Sequence, residues 1–594
     1  MAVDAESRRR GDDDGNLSDS VTVGEDTPLL RSETASSLTA RDGSPAILPG
    51  RRQPVPVNLD SNGLEQPLGR GQAVSIVLSL WALIFLQAAN MSGISTTQSD
   101  IAADLNAYEY AMWFTSSYMI TMSSVAPLMG RLAMIFSPGV MVLISSFFLS
   151  VGAFVTSQAR TFVVFIIGRV LVGVGAGGIM TLSLILVIQL TSKRRRGLWI
   201  GITNAGFTIG VSTGAVVFGA LLPVIGWRAL FWVQSPIGIL AGFGVFFSLP
   251  KLAMHSASKN KTTREKLAGL DYAGAASLTL TIVLFLFGLS GKIQLLPIIL
   301  SLFTLPIFLA VEHYVARDPI IPLSVLKDRG ILFSCFSQLG FMASRWTVLF
   351  YAPVFVLAVR GLSPAVAGSV LIPTNLGFGL GGLVVGWLHI RRAGSFWLPS
   401  ALSLILFGAS LFALSFVSNA ASPGGLYVLV VFVNGLCTGA ALNYSLAHLL
   451  HLSHPDLHFI TTGLLATFRG FAGSFGTAIG GGVFMRNLRD ALTAGFIRLD
   501  GGSVLSEARE KLITVLIGSP AAVSDADFLT PPEREVAVAG YERALKVLYT
   551  AAALVCVLAC VLQAGTGWAP PPVTDEEEEE IEEAIAEHDG VMEA

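Results

Sequence analysis

The sequence predicts an all-α membrane protein with about fourteen transmembrane helices. The main observation is a series of about fourteen apolar stretches between Val74 and Gln563, separated by short polar segments. Each stretch is long enough to cross a bilayer, because a helix of roughly 20 apolar residues spans the hydrocarbon core. The composition agrees: 52% of the residues are hydrophobic and 13% are charged, whereas soluble domains contain about 25% charged residues.

The predicted helices form two groups of six with a pair between them. The seventh and eighth stretches are separated only by Ser290, Gly291 and Lys292, so we expect a tight helical hairpin there. The predicted helix starts, in chain order, are Val74, Tyr108, Gly139, Phe162, Leu198, Arg228, Tyr272, Leu295, Leu332, Val366, Phe396, Leu426, Phe459 and Leu545.

This pattern divides the chain into predicted segments. The N-terminal tail is rich in Ser, Asp, Arg, Gly and Pro without a helical period, which is typical of disorder. The segments are a disordered cytoplasmic N-terminal tail (1–70), an N-terminal six-helix bundle (71–250), cytoplasmic loops with two linker helices (251–330), a C-terminal six-helix bundle (331–566) that includes a long non-cytoplasmic loop (486–543), and an acidic cytoplasmic C-terminal tail (567–594).

Basic residues give the predicted orientation in the membrane. Alternate loops are rich in Lys and Arg, and such loops face the cytoplasm. Because the number of crossings is even, both tails are then cytoplasmic. The basic loops contain Lys193–Arg196, Lys251–Lys266, Arg317–Arg329 and Arg391–Arg392, and the opposite short loops contain only Arg160, Lys292 and Arg360.

Three arginines inside predicted helices are the first candidates for a substrate site: Arg169, Arg345 and Arg469. A charged residue at the centre of a bilayer costs about 3 kcal/mol or more, and those that occur there commonly serve function. Two six-helix halves would form a substrate cavity between them near the middle of the membrane. Each arginine would bind an anionic substrate group there or brace a helix. Trp346 is the neighbour of Arg345 and joins the candidate set, whereas Arg169 lies beside a glycine-rich run that favours bracing.

No predicted helix has a carboxylate at its centre. A proton-coupled carrier needs a group whose pKa changes between the two states of its cavity. Asp100, at the non-cytoplasmic end of the first helix, is the best placed acid for proton coupling, although a solvated residue at a helix end is the simpler interpretation. Asn90, in the middle of that helix, can hydrogen-bond a substrate but cannot titrate.

The glycines of the predicted fifth helix recur on one face. Gly206, Gly210 and Gly214 are spaced by four residues, a pattern typical of close helix crossings in membranes. Helix packing is the simpler interpretation, and an effect on gating would follow from it indirectly.

The sequence gives no reason to expect catalysis, a cofactor, a metal site or a nucleic-acid partner. It contains no G-x-x-x-x-G-K-[ST] phosphate loop and no evident nucleophile–base pairing. The four cysteines lie in apolar stretches without metal-ligand spacing. A polar His-rich loop is a simpler interpretation than a metal or pH-sensing cluster for the four histidines, which are His448, His451, His454 and His458.

Six short patterns in chain order carry a family resemblance. They are Arg169–Gly178 (RVLVGVGAGG), Gly206–Gly219, Trp227–Pro236, Asp318–Leu323 (DPIIPL), Gly361–Pro373 and Phe468–Gly476. Together they resemble the fourteen-span drug:proton antiporter branch of the major facilitator superfamily, over about Val74 to Gln563. The resemblance implies the two-bundle fold, transport by alternating access, and gating or packing roles for Arg169 and the glycines of the fifth helix.

The sequence also departs from this branch. The loop after the second helix usually reads G-x-L-x-D-x-x-G-R-[KR] and stabilises a cytoplasmic gate. Here it begins with Gly130 and Arg131, Met134 replaces the acid, and the basic end is absent. An aspartate common in the first helix is Asn90. These departures argue against proton antiport but leave the expected fold unchanged.

Within the branch the sequence resembles fungal vacuolar transporters of basic amino acids. The resemblance implies amino acids as substrates, basic ones in particular, moved across the vacuolar membrane with coupling to protons. The N-terminal tail contains an acidic dileucine pattern, EDTPLL, in which Glu25, Leu29 and Leu30 would be read by a sorting adaptor. One objection is that arginines without a mid-membrane acid repel a cation, although Arg345 would bind the substrate's carboxylate.

Two alternatives stay open. Aromatic residues in the predicted helices, such as Trp113 and Tyr351, would suit an apolar ligand, as in a plasma-membrane efflux pump for drugs or fungal metabolites. The missing proton-coupling acid and the altered gate loop also fit a sensor that binds a solute without transporting it. Every interpretation keeps a small-molecule ligand and the lipid bilayer as partners.

Overall fold

The computed structural model describes residues 70–190, 196–249, 271–289, 293–316, 327–388, 395–453, 458–501, 504–525 and 527–568. Within these ranges the chain is helical and contains no β-strand. The α-helices are α1 (Arg70–Asp104), α2 (Trp113–Ile135), α3 (Pro138–Ser157), α4 (Phe162–Leu190), α5 (Arg196–Ser248), α6 (Tyr272–Leu289), α7 (Leu295–Ala310), α8 (Arg329–Ala358), α9 (Pro364–Ser369), α10 (Leu371–Leu388), α11 (Trp397–Val417), α12 (Gly424–Leu452), α13 (His458–Leu499), α14 (Glu507–Gly518) and α15 (Pro531–Ala564).

The all-α membrane fold predicted from the sequence is confirmed. Among the described residues, eleven helices are long and apolar enough to cross a membrane. One of them includes most of α5, in which Gly226 has a φ of 73° and interrupts the helix. Glycine adopts a positive φ without steric cost, so the chain can break the helix at this point. The two parts of α5 on either side of Gly226 are the predicted fifth and sixth crossings. The predicted second and thirteenth crossings correspond to α2 and α13.

Side chains that cap the first turn explain where several helices begin. Ser137 accepts a hydrogen bond from the N–H of Val140, and Pro138 follows it at the first position of α3. Asp328 accepts from the N–H groups of Gly330 and Ile331 at the start of α8. Such caps supply hydrogen-bond acceptors to backbone N–H groups that have no partner within the helix. Each cap stabilises the helix by about 1 kcal/mol.

The helices pack as two bundles. In the first half, α5 packs on α1 and α3, and α4 packs on α2 and α3. In the second half, α8 packs on α13 and α15, α10 on α12, and α11 on α12 and α15. Contacts within each half outweigh those between them, which is the architecture required for two halves that move against each other.

The predicted hairpin is formed by α6 and α7. These helices pack on each other, and α6 also contacts α2 of the first half and α13 of the second. Aromatic pairs make this contact, with ring centroids 5.4 Å apart for Trp113 and Phe287 and 5.9 Å apart for Phe285 and Phe475. The hairpin therefore lies against both halves, with α7 mostly on the outside.

The segment 486–543 is helical rather than the long loop expected from the sequence. α13 continues to Leu499, α14 follows, and α15 begins at Pro531 instead of near Leu545. Thr530 and Glu533 form a capping box at the start of α15, with Pro531 at its first position. These extensions are polar, so a search for apolar stretches could not find them, although the capping box itself is visible in the sequence.

We call α14 and the short helix Pro520–Ser524 the outer cap. It bonds to both halves at the end predicted to be non-cytoplasmic. In the first half, Gln98 Nε2 donates to the carbonyl of Gly518 (3.3 Å), and Ser99 Oγ accepts from the N–H of Ala521 (3.2 Å). In the second half, Ser524 Oγ donates to the carbonyl of Leu357 (3.1 Å). The outer cap thus bridges the two halves on that side.

Arg509 ties the outer cap to the helices on either side of it. Its Nε and Nη2 donate to the carboxylate of Asp500 at 3.0 and 2.9 Å, and its Nη1 pairs with Glu533 at the start of α15. Hydrogen bonds from the Arg509 guanidinium hold the pKa of Asp500 below its ordinary value of 3.8. A carboxylate with a lowered pKa in the folded state stabilises the protein when the pH is above the ordinary pKa of the group. This contribution is lost as the pH falls through the lowered pKa.

We predict that Arg509→Ala loosens the outer cap. The thermal unfolding midpoint of the purified protein should fall by about 2 °C, because one partly exposed charge network is lost. Lys511→Ala is the matched control, since within the described residues Lys511 pairs only with exposed Glu507 on the same helix, at 2.8 Å. The difference between the two variants should persist from pH 7 to about pH 4 and shrink below that. Equal midpoints at pH 7 would contradict the assigned role of Arg509.

Candidate functional site

A buried polar centre in the first half is built around Arg169 of α4. Its side chain is fully buried, and its guanidinium lies over the ring of Tyr118, 4.7 Å from the centroid. Nε donates to the carbonyl of Phe114 (2.8 Å), and Nη1 donates to Asn90 Oδ1 of α1. Asn90 Nδ2 in turn donates to Gln234 Oε1 (2.9 Å). Asn90 is therefore acceptor and donor at once, a combination that an ionised aspartate cannot provide.

The second half has a corresponding centre around Arg345 of α8. Arg345 is 3% exposed. Its Nη2 donates to the carbonyl of Thr374 (3.2 Å) and to Asn375 Oδ1 (3.0 Å), and Nη1 donates to the Thr374 hydroxyl and lies 3.5 Å from Asn434 Oδ1. Among the described residues no carboxylate pairs with Arg345 or Arg169. Both guanidinium groups are thus held by neutral groups alone.

The two centres occupy corresponding positions in the two halves, with the residue types exchanged. In the first half the asparagine is on the first helix and the arginine on the fourth. In the second half the arginine is on the first helix, α8, and the asparagine on the fourth, α12. Asn90 lies 14 residues before the end of α1 (90 to 104), and Arg345 lies 13 residues before the end of α8 (345 to 358). The two pairs therefore occupy similar depths in their bundles.

The two halves meet along what we call the outer seam, where α5 crosses α9 and the start of α10. The crossing is so close that a Cβ on Gly219 would lie 2.5 Å from the carbonyl carbon of Pro364, and one on Gly368 would lie 2.5 Å from that of Ala215. The third contact is between Ser212 Oγ and the carbonyl oxygen of Leu371 (3.4 Å), which shares the one hydroxyl hydrogen with the carbonyl of Thr208 in the same helix as Ser212 (3.0 Å). The three pairs run in antiparallel register, in the order Gly219–Pro364, Ala215–Gly368 and Ser212–Leu371.

A second contact between the halves lies near the middle of α2 and α13. Ser123 Oγ donates to Ser474 Oγ (3.1 Å). A Cβ on Gly473 would meet the methyl group of Met119 and lie 3.3 Å from Trp346 Nε1. Trp346 is 8% exposed and stacks on Phe350, with centroids 5.9 Å apart. We call the side chains of Met119 and Trp346, which lie against Gly473 from the two halves, the plug.

A small cavity of about 40 Å³ lies between the plug and the outer cap. This volume holds a few water molecules at most, so no substrate of amino-acid size fits there. None of its lining residues is charged. They are Ser95, Gln98, Met112, Thr115, Ser116, Phe350, Tyr351, Val354, Thr477, Phe484, Met485, Ile517 and Pro520. The conformation is therefore closed at the end predicted to be non-cytoplasmic.

Arg469 lies on the other side of the plug. It precedes Gly473 by four residues on α13, so it is on the same helix face one turn further from the outer cap. Arg469 is half-buried and makes no hydrogen bond or ion pair within the described ranges. A Cβ on its neighbour Gly470 would meet no atom within 4 Å. Of the three predicted arginines, Arg469 is the one whose guanidinium makes no hydrogen bond within the described residues, whereas Arg169 leaves only Nη2 unpaired there.

The acids at the end of α1 are outside this centre. Asp100 is exposed, as the simpler interpretation of its position suggested. Asp104 forms an ion pair with Arg228 and accepts a hydrogen bond from Trp227 Nε1 (3.2 Å). Because Trp227 and Arg228 belong to one of the family-like patterns, this pairing connects that pattern to the end of α1. This pairing was not predicted from the sequence.

The glycines of α5 pack against α1 within the first half. A Cβ on Gly206 would lie 2.6 Å from Trp81 Nε1, one on Gly210 would lie 2.7 Å from the Cβ of Ala88, and Gly214 lies against the backbone of Ala89. Gly130 is half-buried on α2 near Thr181, whereas the side chain of Arg131 is outside the described part of the chain. The sorting residues Glu25, Leu29 and Leu30 also lie outside it.

Sequence reasoning missed the amide and hydroxyl partners of the arginines. Gln234, Thr374, Asn375, Asn434 and Ser212 are buried polar residues in apolar helices. The available signal was that an unpaired polar group in hydrocarbon is costly and needs a partner. Which residues meet is set by packing between helices distant in sequence. His448 is likewise buried, with Nε2 2.9 Å from Thr566 Oγ1.

Comparison with known proteins agrees with this architecture. A family model described as Major Facilitator Superfamily matches residues 80–477. Vacuolar basic amino acid transporter 1 of Saccharomyces cerevisiae is 30% identical over 320 residues, which cover 53% of this chain and 56% of the yeast protein. The chain thus spans about half the length of this relative. Efflux pump FUS6 of Gibberella fujikuroi is 26% identical over 535 residues, covering 86% of this chain and 92% of the pump.

Among solved structures, the fold is similar to a bacterial homologue of the human lysosomal transporter Spinster in an inward-facing, unoccupied conformation. The TM-score is 0.59, with 15% identity, and the match covers 84% of this chain and all of that one. At this identity the likeness concerns the fold alone. The family model spans more than half of the sequence, and the helices form the two bundles described above. The chain therefore belongs to the major facilitator superfamily of membrane transporters.

Proposed function

We propose that this protein is a secondary transporter that carries amino acids across the vacuolar membrane by alternating access. The observation that carries the proposal is Arg469, a half-buried arginine without a partner in the described residues, situated below the Met119–Trp346 plug. A guanidinium in such a place recognises a carboxylate, with which it forms charge-assisted hydrogen bonds. Every amino acid carries this group.

Arg345 would take over the carboxylate deeper in the protein. It is buried on α8 next to the plug residue Trp346 and has only neutral partners among the described residues. A carboxylate forms stronger hydrogen bonds to a guanidinium than an amide or carbonyl does. We therefore assign Arg469 to entry and Arg345 to the closed state, with Trp346 and Asn90 bordering the site.

The preference for basic amino acids rests on likeness to the yeast vacuolar transporter. Electrostatics argue the other way, since two arginines without a nearby described carboxylate repel a cationic side chain. Asn90 cannot titrate, so proton coupling would need another group that binds and releases the proton. Asp100 is the candidate in α1, where it is exposed near the end predicted to be non-cytoplasmic.

The runner-up is an efflux pump at the plasma membrane. It is favoured by the likeness to efflux pump FUS6, which extends over 92% of that protein. Uptake of labelled arginine, lysine, histidine, alanine and glutamate into vacuolar vesicles, with and without this protein, separates the two. Protein-dependent uptake supports the amino acid transporter, and its loss with a protonophore identifies proton coupling. Absence of uptake in vesicles that contain the protein favours the pump.

We predict that Arg469→Ala lowers uptake of the amino acid at least tenfold at low substrate concentration. The expected loss corresponds to one charge-assisted hydrogen bond to a carboxylate, about 1.5–3 kcal/mol. Arg498→Ala is the matched control, because Arg498 is an exposed arginine at the far end of the same helix. Both variants should reach the membrane in the amount of the parent. Parent-level uptake by Arg469→Ala would remove this residue from the site.

We predict that Arg345→Ala abolishes uptake while leaving membrane insertion intact. Because Arg345 also holds α8 against α10, the variant is compared with Arg345→Lys, which keeps the charge but cannot make paired hydrogen bonds. Lysine should restore folding stability more than uptake. Parent-level uptake by the alanine variant would show that Arg345 does not contact the substrate.

We predict that changing both Leu29 and Leu30 to Ala moves the protein from the vacuolar membrane to the cell surface. The expected cause is loss of the dileucine signal that a sorting adaptor reads. A fluorescent fusion observed by microscopy provides the measurement, and Leu17→Ala in the same tail is the control. An unmoved double variant would argue against use of this signal and, if the parent is at the surface, for the efflux pump.

A further inference from the structure

Asn375 connects the arginine of the second half to the outer seam. Its Oδ1 accepts a hydrogen bond from Arg345 Nη2 (3.0 Å), and its Nδ2 donates to Ser212 Oγ of the first half (2.9 Å). All three residues are buried, with exposures of 3% for Arg345, 6% for Asn375 and 7% for Ser212. A single amide side chain thus links the buried guanidinium to a residue across the boundary between the halves.

This chain of hydrogen bonds is sensitive to what Arg345 binds. Within the described residues its partners are the neutral groups of Thr374, Asn375 and Asn434. A carboxylate would replace these neutral acceptors, because charge-assisted hydrogen bonds are roughly twice as strong and a guanidinium binds a carboxylate with two parallel bonds. Asn375 would then lose the donor that orients its amide, and its bond to Ser212 would weaken.

Ser212 is also part of the seam itself. It pairs with Leu371 as the innermost of the three contacts between α5 and α9–α10. The other two contacts are close approaches of backbone at Gly219 and Gly368, which have no side chain that a ligand could influence. The hydrogen bond between Asn375 and Ser212 is therefore the seam contact that a bound ligand can reach.

We propose that Arg345, Asn375 and Ser212 form a latch through which a substrate carboxylate bound at Arg345 releases the outer seam. Asn375 is a positioning residue in this latch, since it acts through Arg345 and Ser212. The ligand arm rests on the proposed function, which supplies a substrate with a carboxylate. A ligand shifts the equilibrium between the closed and the open seam only if it binds the two states with different affinity. The carboxylate would bind the open state more tightly, because there it replaces Asn375 as the acceptor of Arg345.

The test measures how often the seam opens. Val370 is 5% exposed and immediately precedes Leu371, so Val370→Cys reports opening through its rate of labelling by a hydrophilic maleimide. The purified full-length protein in lipid nanodiscs is labelled, so that both faces are accessible. The protein without Val370→Cys gives the background from its own cysteines, of which Cys335, Cys437 and Cys556 are buried.

Ser212→Ala and Asn375→Ala, each combined with Val370→Cys, should be labelled about fivefold faster than the parent. This is the change expected for loss of one buried hydrogen bond. Thr213→Ala is the matched control, since its hydroxyl bonds only to the carbonyl of Ile209 in its own helix. Retention on a size-exclusion column checks folding. Labelling of both latch variants at the rate of the Thr213→Ala control would overturn the latch, whatever the uptake results are.

The ligand arm compares L-arginine with agmatine, the same molecule without its carboxylate. L-arginine should speed labelling of the parent several-fold and leave the already open Ser212→Ala variant unchanged, whereas agmatine should have no effect. Equal effects of the two compounds, or no effect of arginine on a protein that transports it, would overturn the role of the carboxylate. If arginine is neither transported nor active in labelling, the proposed substrate fails, and the unliganded rates still decide the latch.

Discussion

Two buried guanidinium groups with neutral partners constrain the centre of this protein. An isolated charge in a low-dielectric interior is costly unless hydrogen bonds replace its water. Arg169 therefore collects Asn90 and a backbone carbonyl, and Arg345 collects Thr374, Asn375 and Asn434. Since these partners come from different helices, each arginine fixes the relative positions of two or three helices. The helix arrangement of both halves depends on these contacts.

The same constraint explains why the seam between the halves combines glycine contacts with hydrogen bonds. Glycines allow the backbones to approach closely, which gives dispersion contacts but no response to a ligand. The amide of Asn375 supplies a directional bond across the boundary. A seam built only of glycine contacts would open at a free-energy cost that does not depend on a ligand. Adding a bond donated by Asn375, whose amide oxygen also accepts a hydrogen bond from Arg345, makes this cost depend on the occupancy of the site.

The fold was largely readable from the sequence, whereas the site was readable only in part. Apolar stretches located the crossings because the bilayer sets their length. They could not reveal α14, which is short and mixes polar with apolar residues, or the early start of α15, where Thr530 and Glu533 form a capping box. The arginines were visible because a charge inside a membrane helix is rare. Their partners were not, because Asn375 and Ser212 meet only through the packing of α10 on α5, 163 residues apart in sequence.

The charge of the site bears directly on the substrate. With an effective dielectric constant of about 20, a carboxylate about 4 Å from Arg345 is attracted by about 4 kcal/mol, and a cation about 10 Å away is repelled by about 1.7 kcal/mol. A basic amino acid can therefore bind only with its carboxylate first and its side chain directed away. Gln338 precedes Arg345 by seven residues, so it lies about 10 Å along nearly the same face of α8. Its buried Oε1 and Nε2 both have no hydrogen-bond partner within the described part of the chain. In the proposed amino acid transporter, a substrate held at Arg345 by its carboxylate would meet this neutral amide on the same helix face, and its Oε1 would accept a hydrogen bond from a cationic end directed that way.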